Sequence, residues 1–166
     1  MFVKMITYDS EYGDANEFDD YGFSAQSPDE LITAVTDRFR TLLEKRVLLI
    51  DRERDSVDVV EKNSGKSAES YLIAYPSKQA FDEDTSSLLL ADGVFYDPDS
   101  DSISIGTHGT TIWERLSDEN EEVIEEWGLI EVIEDQPPEL GGANYSDTLD
   151  GIELMRYLFN LYKKNS

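Results

Sequence analysis

Cysteine is absent from the chain, and histidine occurs once, at His108. Without cysteine there are no disulfides and no thiolate metal sites. With a single imidazole, the usual zinc ligand sets cannot be assembled. Base is scarce too: 14 Lys and Arg stand against 37 Asp and Glu in 166 residues, a net charge of −23. Phosphate neutralisation needs clustered Lys and Arg, so direct nucleic-acid binding is disfavoured, and so is an anionic membrane surface. No stretch approaches the ~20 apolar residues of a membrane span. No apolar run follows Met1–Tyr8 that would serve as a signal-peptide core. The expectation is a soluble protein of the cytoplasm, or of the host cytoplasm if the chain is viral, and the lack of cysteine fits a reducing compartment. No Walker loop, dinucleotide-binding G-x-G-x-x-G or nucleophile-elbow G-x-S-x-G occurs. No cofactor is therefore expected, and no catalytic residue is singled out.

What is present argues for a folded chain. Aromatic residues make up 11 % and apolar residues 39 %, whereas acidic disordered chains are poor in aromatic and β-branched residues. The length suits one hydrophobic core, and no internal repeat or linker divides it, so residues 1–166 are expected to form a single domain.

Phe2 to Tyr8 reads as a first strand. Asp9 to Gln26 mixes acids and glycines with Tyr12, Phe18, Tyr21 and Phe23, and reads as a loop pinned down by its rings. Ser27, Pro28 and Glu30 form a helix-start signature. Leu31, Val35, Phe39, Leu42 and Leu43 then recur at helical spacing, predicting a helix to about Arg46. Val47–Asp51 and Val57–Glu61 read as strands about a charged turn, Asn63–Lys66 as a turn, and Tyr71–Tyr75 as a strand ended by Pro76. Ser77–Asp84 suits a short helix. Leu88–Tyr96 and Ser102–Gly106 suit a hairpin. Beyond these, short helices are expected at Thr110–Leu116 and Glu119–Trp127, a strand at Leu129–Glu134, and a well-buried final helix over Asp147–Lys163. The fold class expected is α+β: a mixed or mainly antiparallel sheet of about five to seven strands, packed with two longer and two or three short helices.

Charge is segregated along the chain. Arg38–Arg54 holds six bases and three acids, whereas Gln79–Met155 holds 21 acids and the single base Arg115. On a helix over Asp118–Trp127, Val123, Ile124 and Trp127 share one side. Asp118, Glu119, Glu121, Glu122, Glu125 and Glu126 share the other. Like charges three and four apart cost a few tenths of a kcal/mol each. Such a face either offers a row of negative charge to a basic partner, imitating nucleic-acid phosphates, or is a solvated face of an acidic protein. Asp97, Asp99 and Asp101 alternate as at the start of a calcium loop. The turn glycine and the bidentate glutamate of that pattern are replaced by Ser102 and His108, so a plain acidic turn is the first reading and weak divalent-cation binding the second. His108 reads as a structural or surface residue. The bases of Arg38–Arg54 are expected to pair with acids of the same chain, with an external anion or partner as the alternative.

Three functions fit these features. The first is a non-catalytic acidic binder that docks on a basic, nucleic-acid-binding type of surface of a partner protein and blocks it, as an immunity protein or a nucleic-acid mimic would. The second is a salt-adapted structural or virion assembly protein whose acidity is environmental. The third is an enzyme working with carboxylates and a divalent metal.

Overall fold

Ser27 turns the chain from strand into helix. Its backbone is extended, and its Oγ accepts from the Glu30 N–H at 3.2 Å. The Glu30 carboxylate reaches back to the Gln26 N–H at 2.6 Å. With Pro28 at the first helical position, where a missing N–H costs nothing, this start launches helix α1, Pro28–Glu44. Leu31, Val35, Phe39 and Leu42 form its buried stripe, the face that the residue spacing predicts. The helix ends in a Schellman arrangement: Val47 N–H donates to Leu42 O and Arg46 N–H to Leu43 O. Arg46 takes the left-handed position there, at φ 59°, where glycine is the usual occupant.

The computed structural model describes residues 1–11, 14–53, 56–60, 67–105 and 159–160. Within them lie seven strands: β1 (Phe2–Glu11), β2 (Asp14–Ser24), β3 (Leu48–Asp51), β4 (Ser56–Val59), β5 (Ala68–Tyr75), β6 (Leu88–Asp97) and β7 (Ser102–Ile105). A six-residue helix α2, Lys78–Glu83, lies between β5 and β6. Five strands form one sheet in the order β2-β1-β5-β6-β7, and β3-β4 form a separate ribbon. Every pairing is antiparallel.

Alternation sets the two faces of the sheet. Val3, Met5 and Thr7 of β1 stand opposite Ala74, Leu72 and Ser70 of β5, and all six are fully buried. Val3, Met5, Leu72 and Ala74 join the stripe of α1, together with Leu48, Val57, Val59, Val94, Ile103 and Ile105, in one apolar cluster. The two hydroxyls on this face satisfy each other, Thr7 Oγ1 to Ser70 Oγ at 2.9 Å. Strand β6 shifts register twice against β5, and Gly93, at φ 71°, supplies the conformation the second shift needs.

The segment expected as a loop at Asp9–Gln26 is a strand instead. β1 runs on to Glu11 and β2 returns beside it from Asp14 to Ser24. The rings of Tyr21 and Phe23 stack with centroids 5.7 Å apart. A bulge hides the pattern: Thr7 faces Asp19 and Tyr8 faces Glu17, so Phe18 is an extra residue on β2. One inserted residue reverses the inside–outside alternation, which removes the period-2 signal.

The expected helix count is met in part. Among the described residues one helix is long and one is short. The stretches Asn63–Lys66, Thr110–Leu116, Glu119–Trp127 and Leu129–Glu134 lie outside them. Of the expected final helix only Phe159 and Asn160 are described; both are helical, and Phe159 is buried in the core cluster. No helix of the described residues is long and apolar enough to cross a membrane.

Candidate functional site

The described part of the acid-dense stretch runs from α2 to the end of β7, and the geometry of its β6–β7 turn separates the carboxylates there. Asp97 closes the turn on itself, accepting from the Asp99 N–H at 2.9 Å and from Ser100 Oγ at 2.9 Å. These two bonds hold its carboxyl below the usual range. Asp99 faces the ribbon and meets Arg52 Nη1 at 2.7 Å. Asp101 faces α1, where Arg40 grips it with Nε at 2.9 Å and Nη2 at 2.5 Å, and the Tyr96 hydroxyl donates to it as well. The Arg40 contact, then that of Tyr96, bring the Asp101 carboxyl down to about 2. The Tyr96 ring lies 5.6 Å from that of Phe39, near parallel.

Asp97, Asp99 and Asp101 thus serve three different partners. A calcium site would need several oxygens converging on one point at ~2.3–2.6 Å. No group of three His, Asp or Glu among the described residues is placed to hold a metal ion. What the turn does is tie β6–β7 to α1 and to the β3–β4 ribbon through two arginines.

A third arginine does the same for β2. Arg38 forms a two-pronged pair with Asp19, Nε to Oδ2 at 2.9 Å and Nη2 to Oδ1 at 2.6 Å. Its guanidinium carbon lies 4.6 Å from the centre of the Tyr21 ring. The expected internal pairing of the Arg38–Arg54 bases therefore holds for Arg38, Arg40 and Arg52. Two further bases are engaged elsewhere: Lys78 with Asp82, and Lys4 with Asp84 at 3.8 Å and over the rings of Tyr75 and Phe81.

On the opposite sheet face, tyrosines meet acids. The Tyr71 hydroxyl donates to Glu17 at 2.5 Å, and that of Tyr75 to Asp84. Burial and then the Glu17 contact push Tyr71 up to about 12. Tyr75 is raised for the same two reasons, with Asp84 as its acceptor. Neither tyrosine was singled out from the sequence. The partner Glu17 sits on β2, the strand the residue pattern concealed.

Two grooves open on the described surface. One, of about 460 Å³, runs between Tyr21 and α1 and is lined by Asp29, Glu30, Thr33, Ala34 and Asp37. The other, of about 410 Å³, lies between the end of α1 and the ribbon. The acidic row Asp118, Glu119, Glu121, Glu122, Glu125 and Glu126 lies outside the described residues, as does His108. Compared with protein-family models, with characterised proteins and with solved structures, the chain matches none.

Proposed function

We propose that the protein is a non-catalytic acidic binder. It docks carboxylates on a basic surface of a partner protein, of the kind that binds nucleic acid, and blocks that surface. One observation supports this above the others. Of the seven bases among the described residues, five (Lys4, Arg38, Arg40, Arg52 and Lys78) are held by acids of the same chain. Four of these pairs tie separate segments of the chain together, Lys78–Asp82 lies within α2, and the surplus carboxylates are left for solvent or a partner. Asp29 in the groove beside α1 belongs to that surplus, while its neighbours Glu30 and Asp37 also serve the Gln26 N–H and Arg40. The six acids expected as a row over Asp118–Glu126 add to the surplus charge. Nothing in this reading requires a metal, a cofactor or a catalytic group.

The partner's chemistry follows from the charge. A surface lined with Lys and Arg is steered toward such a field, and the on-rate falls steeply with salt. The test is capture of basic proteins, nucleases first, on the immobilised chain. Retention should drop progressively from about 0.05 M to about 0.5 M salt. A variant with Asp118, Glu119, Glu121, Glu122, Glu125 and Glu126 changed to the matching amides should lose capture while staying folded. Capture that ignores both salt and these substitutions would remove the proposal.

A further inference from the structure

The second groove differs in chemistry from the rest of the surface. It is lined by Leu43, Arg46, Leu48, Leu49, Ile50 and Val60, with a volume of about 410 Å³. Leu49 is one of two large apolar side chains exposed among the described residues, at 40 %. The groove lies where the end of α1 meets β3 and the residue that follows β4, and no strand of the described residues pairs with the edge of β3 away from β4. An unpaired strand edge beside apolar pockets is the arrangement that accepts an added extended segment.

The charge at its rim is the second clue. Arg46 lines the groove, its chain neighbour Lys45 is exposed like it, and no carboxylate among the described residues lies within ion-pair distance of either. In a chain with 37 acids, two neighbouring bases without an ion-pair partner among the described residues stand apart from the five that have one. Arg46 carries a further cost. It occupies the left-handed residue of the helix end, where any side chain is disfavoured relative to glycine. The backbone alone would favour glycine there, and the side chain brings a guanidinium to the groove.

We infer that this groove is a second docking site, for an extended segment of a partner protein that presents an apolar side chain next to a carboxylate. The apolar side chain enters between Leu43, Leu49 and Val60, and the carboxylate meets Arg46 and Lys45. This site stands on its own observations. Its polarity is the reverse of the acidic surface proposed above, so the two readings fail separately.

The test uses the full chain and a displayed library of random twelve-residue peptides. Enriched peptides should carry an apolar residue within two positions of Asp or Glu. The best of them, synthesised, should bind about tenfold more weakly to Leu49→Ser, the loss typical of an anchor contact. It should bind about fivefold more weakly to Arg46→Gly, the scale of one exposed ion pair. Arg46→Gly is the decisive variant, because relief of the left-handed residue should leave its thermal midpoint equal to or above that of the parent. Loss of peptide binding then has no unfolding explanation. Equal binding to both variants overturns the inference. So does a selection that yields no peptide, or only basic peptides, the latter landing on the acidic surface and speaking for that site alone.

Discussion

The pair Arg38–Asp19 should be the ion pair on which the placement of β2 most depends, and a double-mutant cycle measures it. Exposed pairs are worth about 0.2–1 kcal/mol, whereas removing one partner of a fully buried pair costs about 3–5 kcal/mol. Here the side chains of Arg38 and Asp19 are 18 % and 12 % exposed. Two well-formed hydrogen bonds join them, and hydrogen bonds to charged groups contribute about 1.5–3 kcal/mol. The contact with the Tyr21 ring adds up to about 1 kcal/mol. Asp19→Ala should therefore cost about 2.5 kcal/mol, leaving a half-desolvated guanidinium. Arg38→Met, which keeps most of the apolar stem, should cost about 2 kcal/mol. The double variant should cost about 2.5 kcal/mol, giving a coupling of about 2 kcal/mol.

Urea unfolding followed by far-UV circular dichroism reads all four corners of the cycle. At this chain length each kcal/mol corresponds to about 2–4 °C in thermal midpoint. The coupling should persist at about 0.5 M salt, since the pair is shielded from the ions that screen exposed charges. Hydrogen exchange should rise first in β2, which this pair fastens to α1, and later in β5 at the sheet centre. Additivity of the two single variants within about 0.5 kcal/mol would show that the pair does not hold β2, and the argument from its geometry would fall.

Three further outcomes follow from named contacts. Asp101, gripped by Arg40 and Tyr96, titrates at about 2 rather than ~3.9. A depressed carboxyl adds stability that is present above its unfolded value and lost as pH falls through the folded one, so the loss runs from about pH 4 to about pH 2; a side-chain carboxyl NMR midpoint near 3.9 would contradict the contact. Tyr71 is raised to about 12, so its contribution is complete below about pH 10 and is lost as pH rises through about 12; Tyr71→Phe should remove one ionisation near pH 12 from the ultraviolet titration. Gly22→Ala would place a Cβ 2.4 Å from Phe81 Cζ, at a cost of about 1–3 kcal/mol; adding Phe81→Ala should make the change at residue 22 nearly neutral, and an undiminished cost in that background would refute the clash.

The residue pattern displays those elements whose signals are local. The start of α1 is spelled by Ser27, Pro28 and Glu30, and its buried face by Leu31, Val35, Phe39 and Leu42. The hairpin β6–β7 shows in the acidic turn Asp97–Asp101, and α2 in Ser77 followed by a short helical stretch. Strand β2 was illegible because its extra residue, Phe18, shifts the alternation at Thr7/Tyr8 while its acids imitate a loop. That one strand carries Asp19 and Glu17, so both the Arg38 pair and the Tyr71 contact were hidden with it. Pairing across the sheet is equally non-local: nothing in β1 states that it lies between β2 and β5. Internal use of the Arg38–Arg54 bases was foreseeable from charge balance, but which carboxylate each would meet depended on that strand order. Of the candidate site, the turn acids are placed and found divided among three partners. The Asp118–Glu126 row remains an expectation drawn from helical periodicity.

The two leading accounts of the acidity predict opposite behaviour in dilute buffer. A salt-adapted protein depends on counterions to suppress repulsion among its carboxylates, so it should unfold when they are withdrawn. A binder whose acidity awaits a basic surface must stay folded there, because its partner is captured best when screening is weakest. Retention of the fold is the expected outcome, from the ion pairs between elements. Arg38, Arg40 and Arg52 join α1 and the ribbon to β2 and to the β6–β7 turn through Asp19, Asp101 and Asp99, and attractions between opposite charges strengthen as salt is removed. These attractions oppose the repulsion where it would separate the elements. Circular dichroism from about 0.5 M down to about 0.01 M salt should show a retained fold, while capture of basic proteins rises over the same range. Unfolding in dilute buffer would instead make the acidity a property of the solvent the protein inhabits, and the carboxylate surface would no longer need a partner.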